Sequence, residues 1–411
     1  MATSTYNTSD LVSMAVKDSL YSDNMLINTV DKGYSSEFTQ KSYVSGQTVT
    51  IEIAPQATFT SGRVGILQAR KPKTVTATLG QYNGVFETSS IQKAYDQKGE
   101  AGITEYGRTI GKALCREMEI TGFATAAQYF GNAVGTAGTE PGSLRTWSTA
   151  RARVKSQLSH GITYAAASPD AMVALSDSLK HATNPGTAIS KQYETGEVKR
   201  AMGLDFYESD STFRHTAGTV DNTTPLVDGT PSNGATTLHI DGTTNGEIAN
   251  ISTKFTVGAV GAADAVYAVD PQSKKNLPYL YTFTCTATSS ASTGSGDVDL
   301  TVNAMYDSTD SRQNMSQLPQ DGAEITWQTE DSALAQQNIV YGPDALSLIS
   351  VPLASDSSGG LKETFQNYDG CIIRTAIHPR DAINDTETLR VDACWAWFSP
   401  RPEHGCVVWG A

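Results

Sequence analysis

The sequence predicts an α+β chain, and three observations predict it. Thr104 to Phe130 carries helical periodicity over a span several turns longer than an ordinary globular helix. Thr48–Ile53, Lys73–Leu79 and Leu389–Trp397 instead alternate with period two, the pattern of strands. From Leu226 to Glu330 helical periodicity vanishes, and Thr, Ser, Gly and short alternating runs take over.

The long stretch places Ile103, Ile110, Leu114, Met118, Ala126, Tyr129 and Phe130 along one stripe. Thr104 is the expected N-cap and Gly131-Asn132 the stop. Glu105, Arg108, Lys112, Arg116 and Glu119 fall on the opposite side, two pairs of them at ion-pairing spacing. Gly107, Gly111 and Gly122 each cost about 1 kcal/mol against Ala inside a helix. Close approach of a neighbouring backbone would justify them.

The 411 residues allow two or three domains, and 39% hydrophobic with 18% charged content fits a folded chain rather than a disordered one. A net charge of −13 argues against a surface that binds nucleic acid broadly. The first basic residue is Lys17 with no apolar run after it, so no secretory leader is expected. No stretch approaches the roughly 18 apolar residues of a membrane span. Five cysteines without CxxC spacing point to neither a disulfide framework nor zinc, and to a reducing compartment.

In chain order, Met1–Thr8 reads as a polar arm. An amphipathic helix follows from Ser9, with either Leu11, Met14 and Ala15 or Val12, Val16 and Leu20 as its apolar row. Between the strands Thr48–Ile53 and Lys73–Leu79 lies an excursion of about twenty residues, too long for a tight hairpin. It carries Arg63, Arg70, Lys71 and Lys73, and no acid occurs between Ile53 and Phe86. A solvated loop and an arm reaching for an acidic neighbouring subunit both fit that pattern. Ser143–Ser159 predicts a helix with Leu144, Trp147, Val154 and Leu158 inside. Its basic face of Arg145, Arg151, Arg153 and Lys155 is solvated or between subunits. Ile162–Ala167 is a short strand, and Ser168-Pro169-Asp170 opens a helix to about Leu179. Tyr193–Ser209 pairs a glycine turn with a second glycine leading into a strand.

Strands are expected at Lys254–Val257, Ala265–Val269, Tyr279–Cys285, Val298–Ala304 and Ile325–Trp327, as in a small barrel or sandwich. This segment holds 12 acids against 4 bases, a net −8 that is most of the chain's −13. Helix-compatible sequence returns near Asp331–Gln337. Asn338–Tyr341 and Ala345–Leu353 follow, then a Ser/Gly-rich loop at Asp356–Gly360.

Chemistry has little to build on. The six histidines are isolated, with no HxxxH or HExxH pair, and no GxSxG, Walker or GxGxxG element is present. Asp297/Asp299 and Asp307/Asp310 lack the glycine and terminal Glu of a calcium loop and read as solvated acids. No catalytic residue, metal or cofactor is expected.

The order of parts resembles the major capsid (coat) proteins of short-tailed double-stranded-DNA phages of the P22 type, which have the Hong Kong 97 capsid fold. Three stretches carry the resemblance. They are Asp10-Leu-Val-Ser-Met-Ala-Val16, Thr195-Gly-Glu-Val-Lys-Arg-Ala-Met-Gly-Leu-Asp-Phe-Tyr-Glu-Ser209, and Asn338-Ile-Val-Tyr-Gly-Pro-Asp-Ala-Leu-Ser-Leu-Ile-Ser-Val-Pro-Leu353 followed by the Trp-rich C-terminal strand. The resemblance implies an N-arm over 1–45, and an E-loop with flanking strands over 46–90, extended near 54–73. It implies a peripheral domain with a spine helix over 91–135 and an axial domain over 136–225 and 331–385. An inserted β-barrel domain would span 226–330, with C-terminal strands returning to the core over 386–411.

It further implies no catalytic residues. Shells of pentamers and hexamers would form in the bacterial host cytoplasm with a scaffolding protein, a portal protein and room for a decoration protein. Such a shell encloses double-stranded DNA without reading its sequence and involves no membrane. Under that reading Arg63, Arg70, Lys71 and Lys73 contact an adjacent subunit, and Asp10, Asp18 and Asp23 are candidates for the scaffold contact. A β-rich adhesin or tail-associated binding protein is the alternative. The long helix and the absence of repeats argue against it.

Overall fold

In a computed structural model, the structure describes residues 8–23, 25–33, 46–54, 59, 63, 71–89, 100–179, 198–220, 224–329, 334–355, 362–368, 370–381 and 383–410. The chain is α+β and forms two compact units. One draws on Met1–Ile51, Thr76–Gly122 and Ser347–Phe398, the other on Glu52–Val75, Phe123–Leu346 and Ser399–Ala411.

The long helix runs Glu100–Tyr129, about 45 Å at 1.5 Å per residue, so it starts four residues before the expected cap and Thr104 lies inside it. In the first unit, Ile110, Cys115 and Met118 are buried on its inner stripe. Its glycines meet the close neighbours their cost implies. A Cβ on Gly107 would lie 2.8 Å from the Ala15 side chain, and one on Gly111 would lie 3.0 Å from the Val16 Cα. The neighbour is the N-terminal helix Thr8–Asp23, whose inner row is Val12, Ala15 and Val16, while Met14 is exposed. Further along, Gly122 makes room for Leu26 and the Trp397 indole.

Glu119 departs from expectation. Instead of facing solvent it is only 7% exposed. Its Oε1 accepts from the backbone N–H groups of Met25 (3.1 Å) and Leu26 (3.4 Å), the first turn of the short helix Met25–Thr29. Those N–H groups have no partner within their own helix, and a carboxylate also suits the positive helix terminus.

The sheet of this unit is built on Thr386–Phe398. That strand pairs with Gly80–Ser89 on one side and with Ser347–Ser350 on the other, and Cys371–Asp381 also pairs with it. Lys362–Tyr368 adds beyond Cys371–Asp381. Neither Gly80–Ser89 nor the two strands from 362 to 381 was anticipated, because their polar and aromatic residues lack clean alternation. Trp395 and Trp397 are buried as expected; the Trp397 Nε1–H donates to the Met118 carbonyl at 3.0 Å, and Tyr82 stacks on Trp395 at 3.9 Å.

In the second unit, a six-stranded sheet has the spatial order Asn132–Val134, Gly405–Val408, Asn338–Tyr341, Thr163–Ala167, Leu204–Glu208, Arg200–Ala201. The last two form a hairpin through Met202-Gly203. The part of the Tyr193–Ser209 reading before Val198 lies outside the described residues. Helices Leu144–Ser156 and Pro169–Leu179 contribute Trp147, Ala150, Val154, Ala171, Met172 and Leu175 to the core on this sheet. Ser168 supplies the expected cap, accepting from Ala171 N–H, and Ser143 caps the other helix by accepting from Arg145 N–H, both at 3.2 Å. Leu334–Gln336, read as helix-compatible, is instead a strand on Arg214–Thr216: sheet pairing overrides its local propensity.

The acidic segment holds three small sheets: Val298–Thr301 with Thr237–Asp241 and Leu226–Val227; Phe283–Thr284 with Lys254–Val257 and Ile325–Trp327; Tyr267–Val269 with Asn276–Leu280. Isolated bridges at Leu226–Glu324 and Cys285–Val302 connect the first two. One apolar cluster, including Leu238, Phe255, Phe283, Leu300 and Trp327, lies within this region and the residues just before it.

Candidate assembly surfaces

The basic excursion leaves the two-stranded ribbon of Thr48–Ile53 and Lys73–Thr78. Arg63 is exposed, Lys71 is exposed and Lys73 is half-buried; Arg70 lies outside the described residues. Lys71 does not stand alone. Its Nζ lies 3.3 Å from Asp310 Oδ2 of the same chain. Asp310 in turn takes the Arg312 guanidinium at both oxygens, each at 3.0 Å, and the Arg312 backbone N–H at 2.9 Å. Its side chain is only 9% exposed, so it is not the solvated loop acid the sequence suggested. Arg312 holds its carboxyl well below the usual carboxylate range. Arg312 is itself braced over the Tyr306 ring, 4.1 Å from its centroid. Of the other acids of that stretch, Asp307 anchors a turn by accepting from Asn233 and Thr309, while Asp299 is exposed, as expected, and pairs across the sheet with His239.

Of the three acids on the N-terminal helix, Asp18 is exposed. Asp10 and Asp23 lie within the helix span, and their side chains are outside the description.

The basic face of Leu144–Ser156 is only partly solvated: Arg145 is exposed, while Arg151, Arg153 and Lys155 are half-buried. Arg153 donates to the Ala133 carbonyl and lies 4.9 Å from the Tyr279 ring centroid. Lys155 Nζ donates to the carbonyls of Ser159 (3.1 Å) and Gly161 (2.7 Å), bracing the turn after the helix. These guanidinium and ammonium groups meet carbonyls and a ring, which explains why a helix with a basic row can pack against a sheet.

The polar centre that sequence reading missed is Lys254. It is wholly buried at the C-terminal end of the long helix. Its Nζ donates to the Phe130 carbonyl at 2.7 Å, the Ala127 carbonyl at 3.3 Å and Thr284 Oγ1 at 2.8 Å. Three donors thus meet three acceptors. Thr284 Oγ1 also donates to Phe130 O, and Asn303 reaches Tyr129 O at 3.5 Å. The carbonyls that a helix end leaves unpaired are satisfied by the acidic β segment, and a cation there suits the negative end of the helix dipole. No carboxylate accompanies the ammonium among these contacts, and burial pushes its pKa down to about 7. Burial, with Lys254 nearby, holds His215 down to about 4. The only signal in the sequence was a lysine at the first position of the strand Lys254–Val257, beside Phe255.

A second buried charge centre lies in the other unit. Asp392 accepts from Arg374 (2.6 and 3.2 Å) and Arg390 (2.8 and 2.9 Å), and Arg374 also reaches Glu363 at 3.3 Å. An open hollow of about 460 Å³ beside it is lined by Arg374, Ala376, His378, Thr388 and Arg390. The two arginines are matched by the two acids, so the hollow carries no excess charge from them. All five cysteines are buried and none is in a disulfide, and burial pushes the thiols of Cys285, Cys371 and Cys406 up to about 12. Among the described residues no cluster of His, Cys, Asp or Glu is placed to hold a metal, and no helix is long and apolar enough to cross a membrane.

The family described as P22 coat protein, gene protein 5, matches residues 1–410. The chain belongs to the P22 coat protein family. It is a structural, shell-forming coat protein, and the virion capsid is where it resides. No curated protein matches it. Similar solved structures include Mycobacterium phage Che8, at 11% identity and a TM-score of 0.47 over 94% of this chain and 90% of that one. The mature capsid of bacteriophage PhiM1 aligns at 12% identity and 0.40, over 90% and 85%. A virus-like particle from Pyrococcus furiosus aligns at 9% identity and 0.40, over 97% and 98%.

Proposed function

We propose that this coat protein builds an icosahedral shell of pentamers and hexamers around double-stranded DNA, with the Hong Kong 97 fold, and does so without catalysis. The observation that carries the reading is the family match over residues 1–410. Assembly proceeds in the bacterial host cytoplasm through a scaffold-assisted procapsid, with a portal protein at one vertex and room for a decoration protein. Residues 1–45 act as the N-arm, 46–90 as the E-loop and its strands, 91–135 as the peripheral domain, and 136–225 with 331–385 as the axial domain. Residues 226–330 form the inserted domain, and 386–411 return to the core. An uninterrupted basic stretch in an acidic protein supports an inter-subunit role for Arg63, Arg70, Lys71 and Lys73. Asp10, Asp18 and Asp23 are assigned to the scaffold contact.

Negative-stain microscopy of the chain expressed with and without a scaffolding protein tests the reading. Closed particles are expected, and a protein that stays monomeric in both conditions overturns it. Replacing Arg70 and Lys71 together by Glu should leave the subunit folded and impair shells; normal particle yield would remove the E-loop assignment. Charge reversal of Asp18 without effect on scaffold binding would remove the scaffold assignment.

A further inference from the structure

The chain is divided in charge. Residues 54–73 carry bases and no acid, while the acidic segment carries most of the net −13. The two meet where Lys71 Nζ lies 3.3 Å from Asp310 Oδ2, across 239 positions of sequence. Asp310 is fixed without help from Lys71. Arg312 donates to both of its carboxylate oxygens and through its own backbone N–H, and the Asp310 backbone N–H donates to the Asp307 carbonyl at 3.2 Å. Tyr306 in turn lies under the Arg312 guanidinium. The Asp310 side chain is 9% exposed and that of Lys71 53%. A carboxylate held still in a partly desolvated seat gains more from a cation than two moving surface charges do, and ordering the lysine stem is the main cost. Further out on the excursion, Phe59 and Arg63 are exposed.

We propose that Lys71 acts within its own chain: paired with Asp310, it fastens the root of the excursion to the acidic segment and sets the direction from which the outer residues approach a neighbouring subunit. This rests on the coat reading and divides the basic residues assigned there. Lys71 is a positioning residue, and Arg63 is left for the neighbour. Eight residues of extended chain can carry Arg63 up to about 28 Å from Lys71. A loose root would spread that reach over many directions, all of which assembly must then restrict. A root held by an ion pair narrows them before the neighbour arrives. The arrangement also accounts for an acid-free basic stretch in an acidic protein, since its counter-charge lies in the same chain.

Removing Lys71 leaves Asp310 satisfied by Arg312, so Lys71→Gln loosens the root without orphaning a buried charge. Asp310→Asn keeps an acceptor for Arg312 and removes the charge. Hydrogen exchange of the full-length subunit reads the root directly. Amides of the peptide covering 71–78 should exchange about two- to five-fold faster in either variant, the scale of one partly exposed ion pair. The double variant should be no faster than the faster single one. Amides of Leu144–Ser156 should be unchanged in all three, which controls for folding. Unchanged exchange at 71–78 in either single variant, or effects that add in the double, overturns the proposal. Particles read the positioning role: Lys71→Gln and Asp310→Asn should lower particle yield to the same extent. A defect in one of them alone, or normal yield from both, overturns that role. If the wild-type chain forms no particles, the coat reading fails, and the exchange result still decides whether the ion pair holds the root.

Discussion

The two ends of the long helix are held by opposite physics. Along Gly107 and Gly111 the backbone itself is the contact surface: side chains are absent so that the N-terminal helix can approach closely. At Ala127–Phe130 the contact is polar, a buried ammonium and a threonine hydroxyl meeting carbonyls that the helix leaves unpaired. The first arrangement is specified by volume, and any added atom disturbs it. The second is specified by hydrogen-bond count, so removing a donor costs more than changing a shape.

The most disruptive way to break the contrast is Lys254→Met. It keeps the volume and orphans buried acceptors, and a loss on the order of 3 kcal/mol is expected in denaturant unfolding. Gly111→Ala should come next. Helix propensity favours Ala by about 1 kcal/mol, but the new Cβ would sit 2.7 Å from Ser19 Cβ and 3.0 Å from Val16 Cα, and overpacking reverses the sign to a net loss of about 1–2 kcal/mol. An exposed alanine-for-glycine change would stabilise, so the sign alone reports whether the approach is as close as described. Glu119→Ala should cost about 1 kcal/mol by removing the acceptor for the Met25–Thr29 helix, and Glu119→Gln less, since an amide oxygen still accepts.

The pH dependence sharpens the comparison further. Burial holds Lys254 at about 7 in the folded chain against 10.5 ordinarily. Between those values the unfolded chain keeps a proton that the folded chain has released, so this group's contribution to stability rises with pH across the window. Below about pH 7 the cost of burying the ammonium is present in full. The stability difference between wild type and Lys254→Met should therefore grow from pH 7 towards 10.5. A pH-independent difference would mean that the three acceptors and the helix terminus hold the ammonium charged throughout. Gly111→Ala should show no such trend.

Much of the fold was legible because its signals are local. The helix at Leu144–Ser156 followed from the spacing of Leu144, Trp147 and Val154, and the one at Pro169–Leu179 from Ser168-Pro169-Asp170. Candidate contacts were less legible. Lys71 was readable as basic, but its Asp310 partner lies 239 residues away in sequence. The basic row of Arg151, Arg153 and Lys155 suggested an outer face because spacing cannot show that carbonyls and a tyrosine ring wait opposite it.

By itself the sequence determined where the long helix lies, that its glycines needed a close neighbour, that the 226–330 stretch is β-rich and acidic, and which family the chain resembles. These follow from periodicity, composition and order, which are properties of neighbours along the chain. Only the tertiary structure decided that the N-terminal helix is the neighbour of Gly107 and Gly111, that Glu119 faces inward to serve another helix, and that Lys254 closes the helix end. The first depends on which distant surface fits against bare backbone, the other two on which distant backbone groups a helix end leaves for others to satisfy, and a linear pattern encodes neither.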